Sequence, residues 1–301
     1  MTFHTAALDL ALAGGYRRSL DFLELTKPRV TLMVLVTTFV GFYVGSGLVP
    51  HYLLMFETLL GTALAAGGTL ALNQFMERES DAKMERTRRR PLPDGRIQPH
   101  EALFFGVVLT GSGLLLLALR VSPTSAAVTA FITASYLFVY TPLKQKTAFC
   151  SVIGAVPGAL PPVVGWAAAR GEIGIESWVL FAILFLWQIP HTLAIARLYR
   201  DDFARAGIRF LPVLEPDGGS TGRQIISHCL GLLAVSLLPT LLGVAGIIYF
   251  SMALLLGAGF ILFGIRLALC QTLGAARRLL WTSLIYLPLL LTVMALDRVH
   301  F

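Results

Sequence analysis

The sequence is poor in charged residues. Only 14% of its 301 residues are Asp, Glu, Lys or Arg, whereas 56% are hydrophobic. Soluble domains carry about 25% charged residues. The composition therefore excludes an ordinary soluble domain and predicts a membrane protein.

Cysteine and histidine are also scarce. Three Cys and six His, widely separated along the chain, predict neither a disulfide scaffold nor a Cys/His metal centre. Cys150, Cys229 and Cys270 each lie in apolar sequence, so we expect small core residues without a redox role.

The N-terminus has neither the order of a signal peptide nor the composition of a transit peptide. A bacterial plasma membrane is the expected location.

Nine hydrophobic runs are long enough to cross a membrane, which requires about 20 mostly apolar residues. They lie at 30–48, 52–76, 101–119, 123–141, 149–168, 177–197, 225–247, 249–270 and 279–297. The weakest boundary is the one near Tyr249, where only Ser251 and glycines interrupt the apolar run. The predicted fold is an all-α bundle of nine transmembrane helices. It forms a single domain over 1–301 with a short cytoplasmic N-terminal segment, 1–29.

Lys and Arg are unevenly distributed among the predicted loops. If the N-terminus is cytoplasmic, 21 of the 24 basic residues lie on the cytoplasmic side, and only Arg120, Arg170 and Arg298 lie on the other. The positive-inside rule then predicts a cytoplasmic N-terminus and a non-cytoplasmic C-terminus. The net charge of +7 reports this topology and an anionic lipid surface. It does not indicate nucleic acid, because no basic stretch is interleaved with base-stacking aromatics.

The stretch NQFMERESDAKMERTRRRPLPDGRI (Asn73–Ile97) contains five acidic and seven basic residues between two apolar runs. Nothing breaks a helix over 71–90, so the second span is predicted to continue that far. Asn73, Glu77 and Asp81 then share one helix face. Their amide and carboxylate oxygens are suited to a hard cation such as Mg²⁺.

Arginines follow the acidic row directly. Arg86 and Arg90 are four residues apart and are predicted to share a face, where guanidinium groups hold phosphate oxygens in bidentate geometry. Glu85 continues the acidic row but lies close enough to Arg86 and Arg88 to be merely paired. A metal–diphosphate complex requires such a pattern of acids followed by arginines. The alternative is a solvated helix face with topology-determining arginines, which does not account for carboxylates at the end of a span.

Two other cytoplasmic stretches carry candidate residues. Asp201 and Asp202 follow the sixth span, either as a second metal contact or, if that span continues, as part of an ordinary salt bridge between Arg197 and Asp201. Lys144, in YTPLKQKTAF between the fourth and fifth spans, is either a topology determinant or a contact to a diphosphate.

His191 lies inside the sixth span, directly after Pro190, which removes a helix hydrogen bond. A histidine within a span is a functional candidate, because a polar group at that depth is costly. It is either a satisfied residue of the bundle interior or a group that ligates iron or contacts a polar substrate.

Five stretches together resemble a known family: LTKPRV (Leu25–Val30), the stretch 73–97, YTPLKQKT, GAVPGALPP (Gly154–Pro162) and WQIPHTLAIARLYRDDFARAGIRFLPV. They are similar to the protoheme IX farnesyltransferases, a branch of the intramembrane aromatic prenyltransferase superfamily. The acidic motif alone indicates only the superfamily. RTRRRPL combined with PHTLAIARLYRDDFARAG indicates the heme branch.

The resemblance implies transfer of a farnesyl group from farnesyl diphosphate to a vinyl group of heme B. Water adds, and the product, heme O, serves heme–copper oxidases, with heme A synthase or an oxidase assembly factor as a possible partner. It implies Mg²⁺ held by Asn73, Glu77, Asp81 and either Asp201 or Asp202. It implies diphosphate contacts from Arg86, Arg90 and Lys144, and a heme contact from His191. Asn73, Glu77, Asp81, Lys144 and His191 are the expected catalytic residues.

Two departures from the family pattern leave alternatives open. Related prenyltransferases often have Asp where this chain has Glu77, and Asp201 and Asp202 are adjacent rather than four apart, so one or two metals are possible. Rival functions are a prenyltransferase for a quinone precursor, a transporter, and a non-catalytic heme-holding factor. The segment around His191 argues against the first. The location of both charged loops on one side, away from the midplane, argues against the second.

Asp81→Ala is expected to remove nearly all activity while leaving membrane insertion normal, because it deletes a carboxylate of the predicted metal site. The measurement is Mg²⁺-dependent conversion of heme B by the purified variant. A fully active variant would exclude the metal site as predicted here.

Overall fold

The fold is known from a computed structural model that describes residues 17–215 and 217–299; residues 1–16 of the predicted N-terminal segment lie outside this part. Nine helices of the described part are long and apolar enough to span a membrane, and this part contains no β-strand. They are α1 (Pro28–Gly45), α2 (Tyr52–Asp81), α3 (Pro99–Val121), α4 (Pro123–Leu143), α5 (Cys150–Arg170), α6 (Ile175–Leu198), α7 (Gly219–Leu241), α8 (Ile247–Cys270) and α9 (Leu273–Leu296). The prediction of an all-α, nine-span protein is confirmed.

The predicted break between the seventh and eighth spans is confirmed, but it lies a few residues before Tyr249. α7 ends at Leu241 and α8 begins at Ile247, and Tyr249 is fully buried within α8. Gly243 turns the chain with φ 72°, and the Asp297 carboxylate accepts a hydrogen bond from the Tyr249 main-chain N–H at 2.7 Å. This cap satisfies an N–H at the start of α8. The capping residue, Asp297, lies at the far end of α9. The sequence of the apolar run therefore does not predict the cap.

The predicted helix over 71–90 is wrong beyond Asp81. Residues 82–97 form consecutive turns and bends. The Thr87 hydroxyl donates to the Asp81 main-chain carbonyl at 2.8 Å, and the Met84 N–H approaches the same oxygen at 3.3 Å. These bonds satisfy the end of α2 without a further helical turn. The chain therefore folds back, and the arginines do not continue the acidic row along one helix.

Neighbouring spans pack in sequence, and α9 packs back against both α1 and α6. α5 is divided at Leu160 into two helices, of which the second, Pro161–Arg170, packs along α1. A Cβ atom at Gly41 would collide with the backbone of α5, and one at Gly165 with the backbone of α1. Small residues allow such close approach between membrane helices.

The loops predicted to be cytoplasmic do lie at one end of the bundle. Gln145, between α4 and α5, donates to the Ser80 hydroxyl near the end of α2 at 2.7 Å. Arg120 at the end of α3 pairs at 2.8 Å with Glu57 in the first turns of α2, at the opposite end. Which end faces the cytoplasm stays a prediction from the distribution of Lys and Arg.

The cysteines differ in their surroundings. Cys150 and Cys229 are buried, as expected of core residues, whereas Cys270 is exposed. Cys270 is the last residue of α8, where the helix has left the packed interior. The expectation of a core residue is wrong there.

Gly165→Ala is expected to destabilise the protein by about 1–3 kcal/mol, the range for overpacking a close contact, and so to lower the apparent Tm in detergent. The added methyl group would collide with the main chain of α1 near Thr38. Gly111→Ala is the matched control, because a Cβ atom there meets nothing within 4 Å. Equal Tm values for the two variants would contradict the close α1–α5 contact.

Candidate active site at the charged end of the bundle

The acidic row lies where α2 leaves the bundle. Because α2 continues through Asp81, Asn73, Glu77 and Asp81 share one helix face, as predicted. All three side chains are buried. Burial of a carboxylate is costly unless a partner compensates it, so the partners decide what this row can do.

Each carboxylate faces a cation from another segment. Lys144, which directly follows α4, forms an ion pair with Glu77. Arg90, on the turns after α2, donates to Asp81 Oδ2 at 2.7 Å. Removal of one member of a buried pair leaves the other charge uncompensated. Glu77 with Lys144 and Asp81 with Arg90 therefore form two coupled units at the end of α2.

Lys27 is a third cation of the site, and its role was not predicted from the sequence. Its ammonium group donates to Asn73 Oδ1 at 2.9 Å, while the Asn73 amide donates to Thr141 Oγ1 at 3.1 Å. Burial lowers the pKa of Lys27 to about 8, and the neighbouring Arg90 acts in the same direction. The available signal was its position in the LTKPRV stretch, directly before the proline that begins α1.

The backbone at Lys27 is unusual. Its φ is +46°, and Gln271 is the other described non-glycine residue with positive φ. A side chain in this conformation costs energy and persists only where the surroundings hold it, often at functional sites. The conformation positions the Lys27 side chain against α2 as the chain enters α1.

The donor set of the acidic row fits Mg²⁺ held together with a diphosphate. Glu77 Oε1 is the atom that pairs with Lys144, so a metal at Glu77 would bind in exchange for this cation. Among the described residues, no three His, Cys, Asp or Glu side chains converge to form a preformed cage. Mg²⁺ commonly takes one or two carboxylates and completes its coordination with water and substrate phosphates.

The second acidic pair is arranged differently from the first. α6 ends before it, and Asp201 and Asp202 lie on a separate short helix, Arg200–Arg205. Asp202 is buried and pairs with Arg205, whereas Asp201 is exposed. Arg197 donates to a main-chain carbonyl between α8 and α9 at 2.8 Å. The sixth helix therefore does not continue to Asp201, which was the condition for the Arg197–Asp201 salt bridge, and the metal contact from Asp201 or Asp202 stays a prediction.

Arg86 connects the two acidic stretches. Its guanidinium carbon lies 4.6 Å from the ring centre of Phe203 and 5.4 Å from that of Tyr199. Both Asp81 and Asp202 attract this charge. Cation–π contacts of this kind contribute about 0.5–2 kcal/mol. Arg86 therefore ties the turns after α2 to the segment after α6, and its predicted contact with diphosphate remains open.

A cavity of about 510 Å³ extends into the bundle beside the charged end, with walls from α1, α2, α4, α5, α6 and α9. Its lining is mostly apolar, and Tyr140 and His191 are among its polar members. Lys144 Nζ lies 5.9 Å from the Tyr140 ring centre, so Tyr140 joins the cavity to the ion pairs. This volume is in the range of small-molecule sites, about 300–1,000 Å³.

Two glycines of the GAVPGALPP stretch shape the cavity wall. A Cβ atom at Gly154 would collide with the Tyr140 ring, and one at Gly158 with the Gln188 amide. Tyr140 itself ends a π-helical turn, Ser135–Tyr140, within α4. π-helical turns are rare in proteins, but those that occur are often found at functional sites. The glycines therefore leave room for polar side chains that line the cavity.

His191 lies on the cavity wall rather than within closed packing. Its Nδ1 lies 2.7 Å from Ser283 Oγ on α9. Its ring stacks on Trp187, with ring centres 4.8 Å apart and planes inclined by 22°. His191 therefore has a protein partner at one nitrogen and also faces the space that a substrate would fill. Sequence reasoning missed both Trp187 and Ser283, because neither lies in a charged motif.

A nine-helix membrane bundle with buried carboxylates and paired cations beside an apolar cavity has the architecture of a membrane-embedded prenyltransferase. The profile of the UbiA prenyltransferase family matches residues 34–288, and the chain belongs to this family. It is a prenyltransferase.

Relatives and solved structures agree with this assignment. The chain is 50% identical to a protoheme IX farnesyltransferase of Solibacter usitatus, over 92% of this chain and 98% of the relative. It is 45% identical to one of Koribacter versatilis, over 92% and 93%. A digeranylgeranylglyceryl phosphate synthase structure has the same fold, with a TM-score of 0.79, 17% identity and coverage of 93% and 98%. So does a UbiA homologue of Archaeoglobus fulgidus bound to GPP and Mg²⁺, with a TM-score of 0.64, 16% identity and coverage of 91% and 99%.

Arg86→Ala is expected to loosen the segment after α6, because it removes the two ring contacts that join the loops. Hydrogen–deuterium exchange of residues 199–205 should become faster. Arg88→Ala is the control, since Arg88 pairs only with the exposed Glu85 among the described residues. Unchanged exchange in Arg86→Ala would show that the two loops are held together by other contacts.

Proposed function

We propose that the protein transfers a farnesyl group from farnesyl diphosphate to a vinyl group of heme B, with addition of water, and so forms heme O. The observation that carries the proposal is the joining of a charged, metal-compatible end with an apolar cavity through Tyr140. A farnesyl diphosphate has the same two parts, an anionic head and an apolar tail. Heme as acceptor is supported by the names of relatives that are 45–50% identical over most of the chain.

The head of the substrate fits the end of α2. Asn73, Glu77 and Asp81 would hold Mg²⁺ through oxygen atoms, with Asp201 or Asp202 as a further contact. The Archaeoglobus fulgidus homologue bound to GPP and Mg²⁺ supports a metal in this fold. When bound with the diphosphate, Mg²⁺ would neutralise negative charge on the leaving group.

The cations that now pair with the acidic row are the groups that would receive the diphosphate. Arg90 and Lys144 each lie against a carboxylate that a bound metal would neutralise. Their positive charges would then be available to phosphate oxygens, and Arg86, which Asp81 and Asp202 attract, would be a further contact. This exchange of partners would keep every buried charge compensated before and after binding, which avoids the cost of an unpaired ion.

The chemistry requires little further from the protein. The bond between farnesyl C1 and the diphosphate oxygen breaks, and both electrons leave with the diphosphate. The vinyl π electrons form the new carbon–carbon bond, water adds to the remaining cationic carbon, and one proton is released. Fixed charges in a site shielded from water stabilise such charge separation. His191 would orient the heme or contact its iron.

The proposed cellular location rests on the distribution of the basic loops. We place the charged end at the cytoplasmic side of a bacterial plasma membrane, because the basic loops lie at that end. Heme O would pass to heme–copper oxidases, directly or through heme A synthase or an assembly factor.

The deciding experiment is conversion of heme B by the purified protein with farnesyl diphosphate, with and without Mg²⁺. Mass spectrometry should find a product enlarged by one farnesyl group and one hydroxyl group. Extraction of hemes from cells with and without the gene is the second measurement. Heme O and heme A levels that do not depend on the gene would reject a heme acceptor.

Lys144→Gln is expected to lower kcat by about 100- to 1,000-fold, the usual cost of losing one preorganised group at developing charge. The same variant leaves Glu77 buried without its cation. Lys146→Gln is the control, because Lys146 is exposed two residues away and contributes similar charge to the loop. Equal activity of the two variants would assign Lys144 to topology alone.

A further inference from the structure

Ser283 contacts the two aromatic rings that α6 presents to the cavity. Its hydroxyl lies 2.7 Å from His191 Nδ1. Its main-chain carbonyl accepts a hydrogen bond from Trp187 Nε1 at 2.9 Å. Ser283 is fully buried, with 0% exposure, although it lies on α9, 92 residues along the chain from His191. One residue thus holds both members of the stacked Trp187–His191 pair.

The hydrogen bonds at Ser283 favour one position for the proton of the neutral His191 ring. The Ser283 hydroxyl donates its single proton to the Leu280 main-chain carbonyl at 2.6 Å. A carbonyl oxygen only accepts, so this proton is not available to the imidazole. With its proton directed to Leu280, the Ser283 oxygen is left to accept a hydrogen bond from His191 Nδ1–H. In the neutral ring, Nε2 is left without a proton and with a free lone pair.

The free nitrogen has no protein partner among the described residues. The contacts of the His191 ring there are the Ser283 hydroxyl at Nδ1 and the Trp187 face. His191 also lines the cavity. A neutral imidazole with a bare Nε2 is a ligand for iron or an acceptor for a hydrogen bond. In metal sites, the bond made by the second ring nitrogen fixes the tautomer and the ring orientation.

We propose that Ser283 is a positioning residue that holds His191 in the Nδ1–H tautomer and presents its unprotonated Nε2 to the heme acceptor. The part of this proposal that concerns heme rests on the proposed function. The tautomer itself does not, because it follows from hydrogen bonds within the protein. Trp187 adds to the same arrangement, since its own bond to Ser283 and its stacking on His191 fix the plane of the imidazole ring.

The first measurement is the ring ¹⁵N spectrum of the full chain in nanodiscs, with labelled histidine and no substrate. The chain has six His, and the His191 signals are those that disappear in His191→Gln. We expect the Nδ1–H tautomer in the unmodified chain and a shift toward Nε2–H in Ser283→Ala. An Nε2–H tautomer in the unmodified chain overturns the proposal without reference to any variant or substrate.

The matched control is Ser236→Ala. Ser236 is equally buried, at 0% exposure, and bonds to the Tyr286 hydroxyl at 2.8 Å. The Ser236→Ala substitution removes a hydroxyl from the same helix bundle but does not change the contacts of His191. The His191 signals should stay unchanged in this variant. Equal shifts in Ser236→Ala and Ser283→Ala would assign the effect to general loosening of the bundle and would also overturn the proposal.

The second measurement separates this proposal from the proposed function. Ferric heme B is titrated without farnesyl diphosphate, and the Soret band and the electron paramagnetic resonance spectrum report imidazole ligation. Ser283→Ala is expected to weaken binding by about 10- to 100-fold, the usual effect of losing a partner of a metal-ligating histidine. Ser236→Ala should bind heme as the unmodified chain does.

The Nδ1–H tautomer with no heme binding would reject the heme function yet retain the positioning role. Heme binding through His191 that is unchanged in Ser283→Ala would reject the positioning role alone.

Discussion

Glu77 and Asp81 lie buried where a membrane helix ends, and the fold brings a cation to each of them. Two carboxylates in such a place are costly unless opposite charges and hydrogen bonds compensate them. Lys144 from the end of α4 and Arg90 from the turns after α2 meet this requirement. Several local features serve the same end. The left-handed backbone at Lys27 brings a third cation to α2, and the turns after α2 return an arginine to the helix they have just left.

The same compensation links the charged end to the cavity. Lys144 contacts both Glu77 and the Tyr140 ring, and Tyr140 lines the apolar cavity. The π-helical turn that ends at Tyr140 and the absence of a side chain at Gly154 together place this ring. The charged end and the apolar cavity are therefore continuous with each other, as the proposed substrate with an anionic head and an apolar tail requires. Such a site favours separation of charge, because fixed groups replace the water shell.

Much of the architecture could be predicted from local pattern. Nine apolar runs predicted nine spans, and the spacing of the Asn73–Asp81 row predicted a shared face, because helix periodicity acts over a few residues. The incorrect predictions have a common origin, because each concerns a feature that leaves no strong signal in the local sequence. The turns over 82–90 contain no glycine or proline, and the Thr87 hydroxyl that replaces a helical turn gives no strong sequence signal. The start of α8 depends on a cap from Asp297, and the exposure of Cys270 depends on where α8 leaves the bundle.

The sequence by itself determined that the chain spans a membrane, that its basic loops gather at one end, and that a carboxylate row lies at the end of the second span. These properties follow from composition and helix periodicity. Only the tertiary structure decided which partner each functional group has. Lys27 and Asn73 are 46 residues apart, and His191 and Ser283 are 92 apart. Hydrogen bonds act over about 3 Å, so such pairs exist only once the helices have packed around the cavity.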